Sequence, residues 1–266
     1  MWFKLIAVRN EMSLRASQIL QDVTLAEIVQ IIIIVLGTLV GFTIAGVVGF
    51  GGGIVVLPIL VSIVGMQEAV PILTISQLSS NFSRVWIHRQ NLNWKVFKYF
   101  AVGSVPFAIL GSFLLVTLDT PILVRALGAF MLGCVLFMKL PVGKKFNMKL
   151  PGFIPVGAMT GFTSASMGVP GPFPVIFYIA YGMGASAMVG TSSLGQGLIH
   201  IPKLIVYGMS DLLTVKVLVL GLGLAPIGFI AAFLGKLILQ RLSPRAFRII
   251  IDVLLVFWGL VFLIKG

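Results

Sequence analysis

The sequence has few charged residues, and this scarcity indicates its class. Only 10% of the 266 residues are charged and 59% are hydrophobic, whereas soluble domains average about 25% charged residues. Apolar runs of roughly 20 residues, the length needed to cross a bilayer, recur along the whole chain. Because these runs are continuous rather than alternating, they exclude a β-barrel. The composition therefore predicts an all-α polytopic membrane protein.

Residue types that carry catalysis or bind metals are also scarce. The chain has one Cys, two His and seven acidic residues. Cys134 cannot form an intrachain disulfide, and we expect it to pack as a small hydrophobe. The sequence contains no His, Cys, Asp or Glu grouping that supplies the base, nucleophile or metal site of an enzyme. We therefore expect no enzymatic activity, no catalytic or metal-binding residue and no cofactor.

Positive charge exceeds negative charge, with a net charge of +12. In a soluble protein this excess would indicate nucleic-acid binding. Here the Lys and Arg residues lie mostly in short loops, as the positive-inside rule expects. The expected partners are therefore the lipid bilayer and a small substrate, with no nucleic acid.

Hydropathy divides the chain into ten apolar segments. Two of them, 53–65 and 172–183, are too short to cross a bilayer as helices. Residues 1–24 form a mixed segment that is typical of an interfacial amphipathic helix. The predicted segments are 27–48, 53–65, 69–88, 95–117, 121–139, 151–168, 172–183, 185–207, 214–237 and 245–264.

An internal repeat relates the two halves. Gly41-Phe42-Thr43 reappears as Gly161-Phe162-Thr163 at an offset of 120 residues. Gln77 matches Gln196 and Arg84 matches Lys203, both at an offset of 119. An odd number of segments in each half would turn the second copy over in the membrane, and inverted repeats are typical of secondary transporters.

The repeat predicts the domain organisation. A first transmembrane repeat would occupy residues 25–140 and a second residues 151–266, with a cytoplasmic linker at 141–150 between them. The chain would cross the membrane eight to ten times, depending on whether the short segments cross fully. The side of the N-terminus stays open.

Two Gly/Pro-rich breaks occupy matching positions in the halves, GFGGG at 49–53 and GVPGP at 168–172. Each precedes a short apolar segment whose N-terminal amides could bind an anion. Irregular backbone at membrane depth is tolerated only where it is buried or lines a cavity. Alternatively, the glycines only permit close helix packing, as we expect for Gly37, Gly41 and Gly46. The predicted binding residues in the breaks are Gly51, Gly52, Gly53, Gly171 and Phe173.

Each half also has a polar stripe on an otherwise apolar helix. In both halves the polar residues step by three or four, so they share one helix face. Such residues should face the bundle interior or a cavity. The predicted substrate-binding residues on the stripes are Gln77, Asn81, Arg84, Gln196, His200 and Lys203.

Alternatives remain for several members of the stripes. Arg84 and Lys203 could instead extend to the membrane interface. Gln77 and Gln196 could be interhelical hydrogen-bond partners. His200 could be a proton carrier or a structural histidine.

Asp252 is an acidic residue in the last apolar segment, one turn after Arg248. It predicts an i, i+4 ion pair or, as the alternative, a coupling carboxylate, with His200 as the other coupling candidate. Acidic residues are otherwise nearly absent from the apolar segments. This argues against a cation path and favours an anionic substrate.

The motifs AGVVGFGGGIVVLPIL, ASMGVPGPFPVIFYI and GTSSLGQGLIHIPKLIVYG resemble the two signature regions of the TauE/SafE sulfite exporter family. In the second motif, Pro170 and Pro172 replace expected glycines. The resemblance implies a secondary carrier of sulfite, sulfonates such as sulfoacetate, or related small anions. It would work outwards, driven by a proton or charge gradient.

The resulting hypothesis is an alternating-access exporter of small sulfur-containing anions in a bacterial inner membrane, with the anion bound at half-helix N-termini near the bilayer midplane. A homodimer is one option for its assembly. An anion channel of the same architecture and a carrier of a different small anion are the alternatives.

Overall fold

A computed structural model describes residues 25–48, 52–139, 148–170, 173–238 and 244–265. Over these residues the chain forms ten α-helices and two short 3-10 turns and contains no strand, which confirms the predicted all-α class. The helices are α1 Leu25–Val48, α2 Gly52–Val64, α3 Met66–Ile87, α4 Trp94–Thr117, α5 Thr120–Lys139, α6 Phe153–Met167, α7 Phe173–Ala180, α8 Ala185–Met209, α9 Val215–Ile238 and α10 Pro244–Lys265.

The ten helices coincide with the ten predicted apolar segments to within a few residues. Both predicted short segments are short helices, α2 with 13 residues and α7 with eight. The predicted interfacial segment 1–24, most of the predicted linker, Gly51 and Gly171 lie outside the described residues.

Local sequence explains several helix ends. The side chain of Asn93 accepts a hydrogen bond from the amide of Val96 at 3.1 Å and so caps the N-terminus of α4. Gly168 ends α6 in the left-handed conformation, with φ of 76°, which glycine adopts without steric cost. The chain therefore leaves α6 at the second break through a glycine in a left-handed conformation.

Four of the described helices are long and apolar enough to cross a membrane, namely α1, α4, α5 and α9. Large apolar side chains cover their outer faces, as lipid contact requires. The helices α3 and α8 are equally long, with 22 and 25 residues, but carry the polar stripes. The chain is a multi-pass membrane protein whose polar helices lie inside.

The helix contacts relate each helix to the one five places later. α4 packs against α6 as α9 packs against α1, and α4 contacts α8 as α9 contacts α3. The pairs α3–α8 and α5–α10 are each formed by two such equivalent helices. This pairing is what a duplicated five-helix unit requires, and the opposite orientation of the halves in the membrane stays a prediction.

Glycines allow the closest of these contacts, between α4 and α6. A Cβ atom on Gly157 would overlap the carbonyl oxygen of Phe100, and one on Gly161 would overlap that of Ser104. In the other half, a Cβ on Gly41 would lie 2.9 Å from the carbonyl oxygen of Gly52. Small residues thus bring helix backbones together, as in other membrane proteins. This packing holds the broken helices α1 and α6 against their neighbours.

Candidate functional site

The described parts of the two breaks contact each other. A Cβ atom on Gly53, at the start of α2, would lie 2.6 Å from Cγ1 of Val169, which follows α6. It would also lie 3.1 Å from Nε2 of Gln77 on α3. Only glycine leaves room for this approach. The N-terminus of α2, the second break and the Gln77 amide therefore meet at one place.

The two polar stripes also meet, along the interface between α3 and α8. Nδ2 of Asn81 lies 3.0 Å from Nε2 of His200, and both residues are buried. The two positions are 119 residues apart, which is the repeat offset. The predicted repeat would place this contact near the axis that relates the two copies.

Arg84 lies beside this pair and is only 3% exposed. Its Nη2 donates to Oδ1 of Asn81 at 2.6 Å and its Nη1 to the carbonyl oxygen of Ala45 at 3.2 Å. A third bond, also 3.2 Å, runs from Nε to the carbonyl oxygen of Ser80. Ala45 is in the last turn of α1, where carbonyl groups have no partner within the helix. Arg84 thus caps the helix that precedes the first break.

Lys203 has the equivalent role in the second half and is fully buried. Its Nζ donates to the carbonyl oxygen of Ser164 at 2.9 Å and lies 3.4 Å from the Ser164 hydroxyl. Ser164 is in the last turn of α6. The Tyr207 hydroxyl donates to the next carbonyl oxygen, that of Ala165, at 2.6 Å. The burial of Arg84 and Lys203 contradicts the alternative in which these side chains extend to the membrane interface.

The two buried cations have no carboxylate partner among the described residues. Among the described residues, the structure shows an ion pair between Lys216 on α9 and Glu68 on α3, at 2.6 Å, and both side chains are partly exposed. Carbonyl dipoles compensate a full charge only in part. Two basic side chains are thus buried at the centre of the described helices, an arrangement that favours an anion.

Several buried polar atoms near the cations have no hydrogen-bond partner within the described part of the chain. They are the hydroxyl oxygens of Ser80 and Ser193 and Nδ1 of His200. Neighbouring hydroxyls, such as that of Thr74, instead bond to a carbonyl of their own helix. Buried polar groups are nearly always paired, so these atoms are available to bond to a ligand.

An open groove of about 290 Å³ lies beside the cluster, between α3, α8 and the start of α4, and the exposed side chains of Phe82 and Ile201 form part of its lining. Asn81 and Ser193 contribute polar side chains to its lining. The other lining residues have apolar side chains, apart from Gly197, which has none. The nearest atom to a Cβ built on Gly197 is Cβ of Asn81, at 3.9 Å. The cluster therefore borders a space that could hold an apolar group.

The remaining predicted site residues lie at several places in the fold. Gln196 is on α8, one turn before His200, and is half-buried. Asp252 is on α10, which packs mainly against α5 rather than against the polar helices. Its Oδ1 is buried without a hydrogen-bond partner among the described residues. The side chains of Arg248 and Phe173 are not described, so the Asp252–Arg248 pair stays a prediction. No metal-binding group of three or more His, Cys, Asp or Glu occurs within the described ranges.

The sequence alone did not indicate the backbone partners of the two cations. The carbonyl groups of Ala45 and Ser164 belong to small residues without a distinctive pattern. Each lies 39 residues before its cation, a spacing that is the same in both halves. Comparing the residues at equal distances before Arg84 and Lys203 would have been the available signal.

Comparisons with known proteins show which family the chain resembles. A family model described as "Sulfite exporter TauE/SafE" matches residues 33–262, which is most of the chain. A relative from Methanocaldococcus jannaschii, named "Probable membrane transporter protein", is 28% identical over 264 residues, covering 88% of this chain and 95% of the relative. No solved structure matches the chain.

Proposed function

This chain belongs to the TauE/SafE sulfite exporter family of membrane transporters, and from that premise we propose that it exports small sulfur-containing oxyanions. Sulfite and short organosulfonates such as sulfoacetate are the substrate class. The sulfur chemistry follows from the name of the family. The anionic charge of the substrate has independent support in the structure.

The observation that carries the proposal is the pair of buried cations, Arg84 and Lys203. Both are almost inaccessible to solvent, and neither has a carboxylate partner among the described residues. Leaving a buried charge without a counter-charge is costly in a membrane protein, and such residues mark ion pathways. A transported anion between α3 and α8 would supply the missing negative charge.

The neighbouring groups would complete the site as hydrogen-bond donors. The Gln77 amide and the N-terminus of α2 lie together at Gly53, and Gln196 is in the equivalent position of the second half. The amides at the start of α2 add partial positive charge. In this proposal they bind the sulfonyl oxygens, while Arg84 and Lys203 provide most of the charge compensation.

The position of the site supports a carrier that works by alternating access. Asn81 and His200 touch where the two halves meet. In transporters with internal repeats, substrate sites lie at the repeat interface, and one bundle moves against the other around them. The contacts α4–α6 and α1–α9 each join helices from both halves, so each could move as a unit.

The groove beside Asn81 supports the inclusion of short organosulfonates. Its mainly apolar lining suits the carbon substituent of a sulfonate whose charged end lies near Arg84. Gly197→Leu would place a large side chain in this space. We expect this variant to reduce transport of sulfoacetate while leaving transport of sulfite largely unchanged.

The main test is flux into proteoliposomes. Purified protein would be reconstituted and assayed with sulfite, sulfate, thiosulfate, sulfoacetate and taurine, with and without an imposed proton gradient. We expect saturable flux of at least one sulfur anion. Flux at channel rates in a bilayer recording would contradict the carrier mechanism, and absence of flux for every anion would contradict the proposed function.

A second test examines the proposed donors. Gln77→Leu and Gln196→Leu would be compared with Gln90→Leu, which changes an exposed glutamine in the loop after α3. We expect each site variant to lower anion affinity about tenfold, the effect of losing a hydrogen bond to a charged group. Unchanged affinity in both variants, measured by titration in detergent, would remove these residues from the site.

A further inference from the structure

The hydrogen bonds that join Arg84, Asn81 and His200 have a defined direction. A guanidinium group has only donors, so the Asn81 atom 2.6 Å from Nη2 must be the acceptor Oδ1. The other end of the Asn81 amide, Nδ2, is then the donor. It lies 3.0 Å from Nε2 of His200. The chain of donation therefore runs from Arg84 through Asn81 to His200.

This direction determines the tautomer of His200. Nε2 accepts the Asn81 hydrogen bond, so it carries no proton. A neutral imidazole then has its proton on Nδ1. That nitrogen is buried and has no hydrogen-bond partner among the described residues. Adding a proton at Nε2 would break the bond to Asn81 and place a third positive charge beside Arg84 and Lys203.

We propose that Arg84 and Asn81 hold His200 in the Nδ1–H tautomer, so that the site presents donors and selects oxyanions that carry no proton. The identity of the ligand rests on the proposed function, whereas the tautomer rests on the hydrogen bonds alone. Asn81 is a positioning residue here, and His200 contacts the anion through Nδ1–H.

The charged and amide groups around His200 support this selectivity. Arg84 and Lys203 have no acceptor atoms, and Oδ1 of Asn81 already accepts from Arg84. The unpaired hydroxyls of Ser80 and Ser193 can rotate to donate. The same hydroxyl oxygens are the acceptors left for an anion with an acidic O–H, and the serine that accepts this hydrogen would no longer donate to the anion. Losing a donor to a charged group weakens binding, so the site favours an anion without an acidic O–H.

The first experiment reads the tautomer directly. The chain has two histidines, so the His88→Gln variant, labelled with ¹⁵N-histidine, gives signals from His200 alone. At neutral pH we expect a protonated Nδ1 and an unprotonated Nε2. A proton on Nε2, in either the other tautomer or the imidazolium form, would overturn the proposal.

A matched pair of variants shows whether Asn81 sets the tautomer. Asn81→Asp places two acceptors between Arg84 and His200, so we expect the proton to move to Nε2. Asn91→Asp adds the same charge at an exposed position in the loop after α3, and we expect the His200 signals to be unchanged. Unchanged signals in the Asn81→Asp variant would remove its positioning role.

The second experiment tests selectivity in the wild-type protein. Methanesulfonate and the methylphosphonate monoanion have the same shape and charge, but only the second has an acidic O–H. At a pH where both are monoanions, we expect methylphosphonate to bind at least about tenfold more weakly. Equal binding of methanesulfonate and methylphosphonate would overturn the proposed selectivity but not the proposed function. Absence of binding by methanesulfonate, sulfite and sulfoacetate would overturn the proposed function and, with it, the selectivity.

Discussion

The two halves of the molecule place different side chains in the same frame. In the first half, Arg84 bonds to the carbonyl oxygen of Ala45 and also to Ser80 and Asn81. In the second, Lys203 bonds to Ser164 and the separation is again 39 residues. Each cation caps the helix that precedes a break. The two halves share the position of a basic side chain, whereas the hydrogen-bonding geometry of arginine differs from that of lysine.

This difference makes the hydrogen bonding of the central site asymmetric. The planar fork of an arginine can hold two groups in fixed orientation, whereas a lysine acts as a point charge. Arg84 can therefore orient Asn81, and Lys203 has no equivalent partner in the described residues. An Asn–His pair also has one donor and one acceptor at the contact. Two identical side chains would not define which of them donates.

The largest effect is expected when the two cations are removed in turn. Arg84→Met removes a charge, the cap on Ala45 and the orientation of Asn81, so we expect methanesulfonate affinity to fall about 100-fold. Lys203→Met removes a charge and one cap, and we expect methanesulfonate affinity to fall about tenfold. Titration calorimetry in detergent measures both values.

The control for this pair is Lys216→Met, which removes a partly exposed cation outside the site. We expect its affinity to match that of the wild type. Equal losses for Arg84→Met and Lys203→Met would show that the asymmetry of the hydrogen bonds does not affect binding.

A smaller effect, on stability, is expected when equivalent glycines in the two halves are replaced by alanine. At Gly157 a new Cβ meets the backbone of Phe100, which cannot move aside, while at Gly37 it meets the end of the Ile59 side chain. Overpacking typically costs about 1–3 kcal/mol. We expect Gly157→Ala to lower the thermal unfolding midpoint clearly and Gly37→Ala to change it little.

Fluorescence-detected thermal unfolding in detergent compares these two variants under identical conditions. A Gly37→Ala variant that is as unstable as Gly157→Ala would contradict the different packing of α1 and α6.

The helix cap by Tyr207 occurs in the second half, whereas the equivalent position in the first half is His88, which contacts the Ser186 hydroxyl instead. Tyr207→Phe removes the bond to the carbonyl oxygen of Ala165, and we expect a loss of about 1 kcal/mol in stability. Tyr99→Phe, at a more exposed tyrosine, is the control. Equal unfolding midpoints for the two variants would show that this cap does not contribute.

The smallest effect is expected at the Lys216–Glu68 ion pair, where 57% of the Lys216 side chain and 35% of the Glu68 side chain are exposed. Exposed pairs typically contribute less than about 1 kcal/mol. Glu68→Gln should therefore leave the unfolding midpoint and the anion affinity almost unchanged. A large loss of affinity would show that this contact influences the site.

The helices were predictable because membrane helices have a strong signal. Continuous apolar runs of about 20 residues have few alternatives in a bilayer, and all ten segments are helices in the structure. The polar stripes were also predictable, since spacings of three and four place residues on one face. Asn81 and His200 were candidates for this reason before their contact was known.

The partners of the candidate residues were not predictable to the same extent. The side chain of Arg84 could reach the interface or point inwards with equal sequence support, and the burial of its guanidinium depends on α1 and α8 lying around it. The partner atoms on Ala45 and Ser164 are backbone carbonyl oxygens, which every residue has. A sequence pattern cannot distinguish one carbonyl group from another.

The sequence by itself determined that the chain is a multi-helix membrane protein with two polar helices, because hydropathy and spacing are local properties, and it predicts two related halves. Only the tertiary structure decided that the two stripes meet, that the cations cap the helices before the breaks, and that Asn81 contacts His200. Those contacts join residues 39 to 119 positions apart. They exist because helix packing brings these positions together, and local sequence carries little information about that packing.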